Sequence, residues 1–178
     1  MKSQTVFFII DGKKLEAQAC CLVATLRRFL GWDISVIAYV RQDGNELEQF
    51  TLRLLEAARV EFRYVPMSES VEDDPWTIAY PIGNKILAAS DKRDTELGIF
   101  LDTDTILVKP VDFEAILEGR KIAAVISDYT GDGLDEGAWE QFYKMYDLQL
   151  TEERLNLLRG RKILSPPYFN AGVIIFIE

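Results

Sequence analysis

Two aspartates, Asp102 and Asp104, stand one residue apart directly after the apolar run Leu97-Gly98-Ile99-Phe100-Leu101. Carboxylate oxygens are hard ligands that suit Mg²⁺ or Mn²⁺. Side chains at i and i+2 of an extended segment share one side, so both carboxylates are expected to converge on one cation. A divalent ion held there would bridge a diphosphate and offset the charge that builds on it as it departs. The sequence has no histidine, which excludes imidazole as metal ligand or acid–base group within this chain. Taken alone the motif is weak. With 14 aspartates in 178 residues, about one Asp-x-Asp arises by chance. The plain alternative is a pair of turn aspartates capping the next segment.

Position raises the motif's value. Residues 6–10 (Val-Phe-Phe-Ile-Ile) form a short continuous apolar run, the mark of a strand buried on both faces, and Asp11-Gly12 ends it. Leu15, Ala19, Leu22, Val23, Leu26 and Phe29 then recur at helical spacing, and Gly31 closes that helix. A second strand is expected over 34–40, a turn at Asp43-Gly44-Asn45, a helix marked by Leu47, Phe50, Leu54, Leu55 and Ala58, and a third strand over 61–65. Residues 68–75 read as an acidic loop, 82–89 as a short helix, 97–101 as the fourth strand, 113–117 as a short helix and 122–126 as the fifth strand. Trp139, Phe142, Tyr143 and Tyr146 make an aromatic stripe that reads as core. Thr151-Glu152-Glu153 carries a helix-capping pattern, and residues 173–177 form a last strand. Strands alternating with helices imply an α/β fold with a mostly parallel sheet between helices. Ligands of such sheets bind beyond the carboxyl ends of the strands, where Asp102 and Asp104 fall.

The net charge of −9 disfavours nucleic acid as a partner, since no basic patch interrupts it. An anionic small substrate would need a compensating cation. Cys20 and Cys21 are adjacent within a helical pattern and read as small core residues that suit a reducing compartment. No apolar run is long enough to span a membrane, and the opening residues lack a signal-peptide layout. The expected location is the cytoplasm.

The segment Ile99-Phe100-Leu101-Asp102-Thr103-Asp104-Thr105-Ile106-Leu107, followed by Pro110, resembles the metal-binding segment of glycosyltransferase family 8, the glycogenin and bacterial galactosyltransferase relatives. Phe169-Asn170-Ala171-Gly172-Val173, ahead of the last strand, resembles a second and more distinctive signature of that family. Asn84-Lys85 resembles its donor-contacting lysine region. The resemblance implies a GT-A fold over residues 1–178 as a single domain. It also implies a metal-dependent transferase that takes a nucleotide-diphosphate sugar, first of all a UDP-sugar, and glycosylates an acceptor that the sequence does not name. By that similarity Asp102 and Asp104 hold Mn²⁺ or Mg²⁺. Asp11, Lys85, Asp102, Thr103, Asp128, Asn170, Ala171 and Gly172 line the donor, with Asp11 near the base and Lys85 near the phosphates or sugar. Asp128 and Asn170 fall on the sugar hydroxyls. Each has a bland alternative: Lys85 as a snorkelling helix residue, Asp128 as a strand cap. Family relatives retain anomeric configuration, and no residue here declares itself a nucleophile.

Three rivals stand beside this reading. A haloacid-dehalogenase-type phosphatase also has an Asp-x-Asp, but its nucleophile normally follows the first strand, and it leaves Asn170-Ala171-Gly172 unexplained. A nucleotidyltransferase shares the sheet and the metal logic, with Asp11-Gly12-Lys13-Lys14 as thin support. A non-catalytic nucleotide-sugar-binding domain is the third. The chain stops at Glu178 directly after an apolar strand, while the family pattern continues and supplies a histidine to the metal. The expectation is therefore a domain lacking its C-terminal part, with weak donor binding and little transfer.

Overall fold

The computed structural model describes residues 2–41, 47–65, 83–127, 136–156 and 164–178. The expected turn at 43–45, the acidic loop at 68–75 and Asp128 lie outside them. In chain order the elements are β1 (Gln4–Ile10), a 3-10 turn (Lys13–Leu15), α1 (Glu16–Leu30), β2 (Ser35–Arg41), α2 (Gln49–Ala57), β3 (Glu61–Val65), α3 (Gly83–Ser90), β4 (Leu97–Leu101), α4 (Phe113–Leu117), β5 (Ile122–Ile126), α5 (Glu136–Met145), β6 (Leu155–Asn156), β7 (Leu164–Ser165) and β8 (Phe169–Ile177). Six strands make one sheet in the order β3-β2-β1-β4-β8-β5. β1 pairs in parallel with β2 and β4, and β2 with β3, whereas β8 runs antiparallel to β4. The sheet is mixed and mostly parallel, as expected. The chain divides into two compact units, residues 1–123 with 172–178, and residues 124–171.

In the first unit the apolar runs do what continuous hydrophobicity dictates. Val6, Phe8 and Ile10 point to one face of the sheet and meet Ala19, Leu22, Val23 and Leu26 of α1. Phe7 and Ile9 point to the other, where they meet Ile37, Tyr39, Phe100 and Ala88 of α3. Alternation along a strand thus feeds two cores, one under α1 and one under α3. Gly31 ends α1 with φ 82°, a conformation glycine adopts without steric cost. Cys20 is half-buried and Cys21 exposed, and both are free. The core role expected of Cys21 is therefore wrong: on a 3.6-residue period its neighbour Leu22 takes the inward direction.

Arg93 pins α3 to the sheet. Its guanidinium is buried, donates to the carbonyls of Ala88 (2.7 Å) and Ala89 (3.0 Å) in the last turn of α3, and pairs with Glu178. It also stacks 4.0 Å from the centre of the Phe7 ring. A cation on the last carbonyls of a helix satisfies groups that have no partner within it. Beside it Tyr39 Oη donates to Asp91 Oδ2 (2.7 Å), and Arg63 Nη1 donates to the same oxygen (2.8 Å). Burial disfavours the charged Asp91 carboxylate, but the hydrogen bonds from Arg63 and Tyr39 prevail and hold it below the usual carboxylate range.

The second unit holds α5 and the antiparallel pair β6–β7, in which Leu155 faces Ser165. Trp139 is buried and meets the rings of Phe142 and Tyr168 edge-on. Phe142 and Tyr146 are exposed, so the aromatic stripe is only partly core. The helix expected from Thr151 is absent through residue 156. Thr151 Oγ1 does accept from a backbone amide, that of Glu153 (3.1 Å), but this closes a turn, and Leu155 and Asn156 pair as a strand. The capping signal was local, and hydroxyl-closed turns satisfy it as well as helices do. β8 also begins earlier than expected: Phe169, Asn170, Ala171 and Gly172 lie within the strand rather than ahead of it.

Gly98 of β4 faces Phe176 of β8. A Cβ added at Gly98 would stand 2.8 Å and 2.9 Å from two carbons of the Phe176 ring and 2.5 Å from Glu178 Oε1. Overpacking of this kind costs about 1–3 kcal/mol. Gly98→Ala is expected to lower the free energy of unfolding by that amount, seen as a lower urea midpoint with the slope unchanged; an unchanged midpoint would mean that the ring moves aside freely.

Candidate active site

In the sheet β1 lies beside β4; the chain leaving β1 runs to β2 on one side, and the chain leaving β4 runs to β5 on the other. The gap between the ends of β1 and β4 is a topological switch point, where open α/β sheets bind ligands. An open cavity of about 330 Å³ lies there, lined by Ile9, Asp11, Leu15, Gln18, Lys85, Asp102, Thr103 and Asp104. That volume falls at the lower end of small-molecule clefts.

Each wall follows from local sequence. Asp11 is the first residue past β1. Leu15 and Gln18, three positions apart, present one face of the 3-10 turn and α1. Lys85 comes from the first turn of α3. Asp102, Thr103 and Asp104 follow β4, but not as the extended segment expected. The Thr105 amide donates to the Asp102 carbonyl (2.9 Å), closing a turn. The Asp102 amide in turn donates to the Gly172 carbonyl of β8 (2.8 Å). The two carboxylates thus line one cavity because the backbone turns, and not because a pleat aligns them. Thr103, between them, is buried and donates from Oγ1 to Gln18 Oε1 (3.2 Å).

The most telling contact joins Lys85 and Asp102. The ammonium lies 2.6 Å from Oδ1 and 2.9 Å from Oδ2, and it sits 5.4 Å from the centre of the Phe100 ring. Asn84, next on α3, donates from Nδ2 to Asp11 Oδ2 (3.0 Å). Asn84 and Lys85 therefore tie α3 to the ends of both β1 and β4. Among the described lining residues three carboxylates face one ammonium. Such a cavity repels a free anion and attracts a cation.

Of the residues singled out from sequence, Asp11, Lys85, Asp102, Thr103 and Asp104 share this cavity, and the Gly172 carbonyl accepts from the Asp102 amide behind it. Asn170 and Ala171 belong to the second compact unit. Gln18 was missed. Its only sequence signal is its place one turn beyond Leu15 on the same helical face.

The sequence model of the Rhodobacterales glycosyltransferase domain matches residues 6–178. The chain belongs to this glycosyltransferase domain family. Membership removes the phosphatase and nucleotidyltransferase readings. Comparison with curated protein sequences finds no match. Among solved structures, this glycosyltransferase domain resembles galactosyltransferase LgtC, solved with donor and acceptor sugar analogues (TM-score 0.52, 16% identity, 97% of this chain and 57% of that one). It also resembles core-mannan synthase A from Aspergillus fumigatus in its Mn/GDP form (TM-score 0.57, 9% identity, 99% and 60%). A third likeness is mouse xyloside xylosyltransferase 1 (TM-score 0.50, 12% identity, 97% and 66%). At these identities the likeness establishes the GT-A-type fold. The chain spans less than two thirds of each of these proteins. No helix among the described residues is long and apolar enough to cross a membrane.

Both side chains of the Lys85–Asp102 pair are about 30% exposed (28% and 32%), and pairs so placed contribute little to stability. A double-mutant cycle with Lys85→Met and Asp102→Asn, followed by urea unfolding, is expected to give a coupling below about 1 kcal/mol. A coupling of several kcal/mol would make the pair a structural element rather than part of a binding site.

Proposed function

We propose that this domain binds a nucleotide-diphosphate sugar at the β1–β4 switch point, with a UDP-sugar as the first donor to test, and transfers the sugar to an acceptor hydroxyl. The observation that carries the reading is the meeting of Asp102, Asp104, Lys85 and Asp11 in one cavity at the carboxyl ends of parallel strands. Three carboxylates would not accept a diphosphate unaided, which argues for a divalent cation. The Mn/GDP form of core-mannan synthase A and the donor analogue in LgtC support the same ligand class.

The residues present fit such an ion. Among the described residues no three histidine, cysteine, aspartate or glutamate side chains converge on one point. Mg²⁺ and Mn²⁺ do not require such a cage, since one or two carboxylates plus substrate phosphates and water commonly complete their shell. Asp102 and Asp104 would hold the ion, which when bound neutralises charge on the departing diphosphate. Lys85 offers a second, mobile positive charge to phosphate oxygens. Asn84 holds Asp11 in place, and the Gln18–Thr103 hydrogen bond steadies the turn. Positioning and charge, rather than a declared nucleophile, are what this chain contributes. Sugar contacts by Asp128 and Asn170, and a donor contact by Ala171, rest on the sequence resemblance.

Calorimetry with UDP and UDP-sugars is expected to show affinity that collapses when a chelator is added. Asp104→Asn should lose at least about tenfold of it with folding intact, since one hard charged ligand disappears. Equal affinity with and without metal would sink the metal assignment. Asn170→Ala should weaken binding of the UDP-sugar more than binding of UDP; if both weaken alike, Asn170 does not contact the sugar.

A further inference from the structure

In this structure the carboxylate best placed to bind a cation already holds one. Both oxygens of Asp102 are in contact with the Lys85 ammonium. An ammonium and a divalent ion cannot share those two oxygens without strong repulsion between like charges. Lys85 sits at the end of a flexible four-carbon stem whose root on α3 is fixed: Asn84 binds Asp11 at the near end of the helix, and Arg93 holds the far end. The ammonium is therefore free to swing over a short arc while its helix stays put. A diphosphate entering the cavity would offer it several anionic oxygens in exchange for one carboxylate.

We propose that Lys85 is a resident counter-cation that closes Asp102 to metal until a nucleoside diphosphate draws its ammonium away. The inference rests on the donor-binding reading and adds that metal and nucleotide enter interdependently. By linkage, whatever factor the nucleotide adds to metal affinity, the metal adds to nucleotide affinity. A site of bare carboxylates would instead take up Mn²⁺ alone and wait for its donor. The lysine also offsets the repulsion among Asp11, Asp102 and Asp104, all of which line the cavity.

The test is Mn²⁺ titration of the 178-residue chain, followed by electron paramagnetic resonance of the free ion, without and with saturating UDP. Wild type is expected to take up Mn²⁺ alone weakly and at least about tenfold more tightly with UDP. Lys85→Met and Lys85→Gln should bind Mn²⁺ alone about tenfold more tightly than wild type, and the enhancement by UDP should shrink by a similar factor. Lys85→Arg keeps the charge and should keep the weak uptake. Lys13→Met is the control for bulk charge, because Lys13 is exposed and pairs with Glu48 rather than lining the cavity; it should leave Mn²⁺ uptake unchanged. If UDP and Mn²⁺ bind together but wild type and the two uncharged variants take up Mn²⁺ alone equally, the lysine proposal falls and the donor reading stands. The proposal falls likewise if Lys13→Met tightens uptake as much as Lys85→Met. If no protein binds UDP with metal present, the donor reading itself falls and takes this one with it.

Discussion

The parallel pairing of β1 with strands on both its edges is the constraint on which the site depends. β1 is buried on both faces, so it must be central, and the connections that leave β1 and β4 diverge, one toward β2 and the other toward β5. The cavity lies in the gap between the outgoing connections. Side chains from β1's end, α1, α3 and the turn after β4 converge there because each of those segments must pass the gap. The antiparallel β8 then braces the β4 side, giving its Gly172 carbonyl to the Asp102 amide.

Charge within the gap is arranged around a deficit. Asp11 is engaged by Asn84, Asp102 by Lys85, and Thr103 by Gln18. Each polar side chain named from the sequence at this end of the sheet thus already has a partner or a place in the turn. The cost of bringing acidic groups together is met by one lysine and one amide, Lys85 and Asn84 of α3. On the proposed donor reading, ligand binding here would be an exchange of partners, with existing contacts released as new ones form.

The fold was largely legible in the sequence, because strands buried on two faces and helices amphipathic on one leave plain hydrophobic patterns. β1, β2, β4 and α1 are of this kind. What escaped was set by partners far away in the chain. The carboxylate pair was expected on an extended segment, and nothing in residues 97–105 announces that Gly172 holds the turn. The strand at Leu155 overrode a local capping signal because Ser165 pairs with it. The Lys85–Asp102 contact spans 17 residues and two elements. A snorkelling lysine and a site lysine look alike until α3 is docked. Likewise Gln18 becomes a wall of the cavity only once α1 lies beside the β4 turn.

The turn that carries Asp102 and Asp104 is shaped by main-chain hydrogen bonds, from the Asp102 amide to Gly172 and from the Thr105 amide to Asp102. Neither bond uses an acidic side chain. The shape of the loop is therefore separable from its chemistry. Neutral, amide or longer acidic side chains at positions 102 and 104 would ride on the same backbone, leaving a folded protein with a different appetite for ions. Such a scaffold suits redesign, and it gives selection a place to exchange one chemistry for another without first rebuilding the fold.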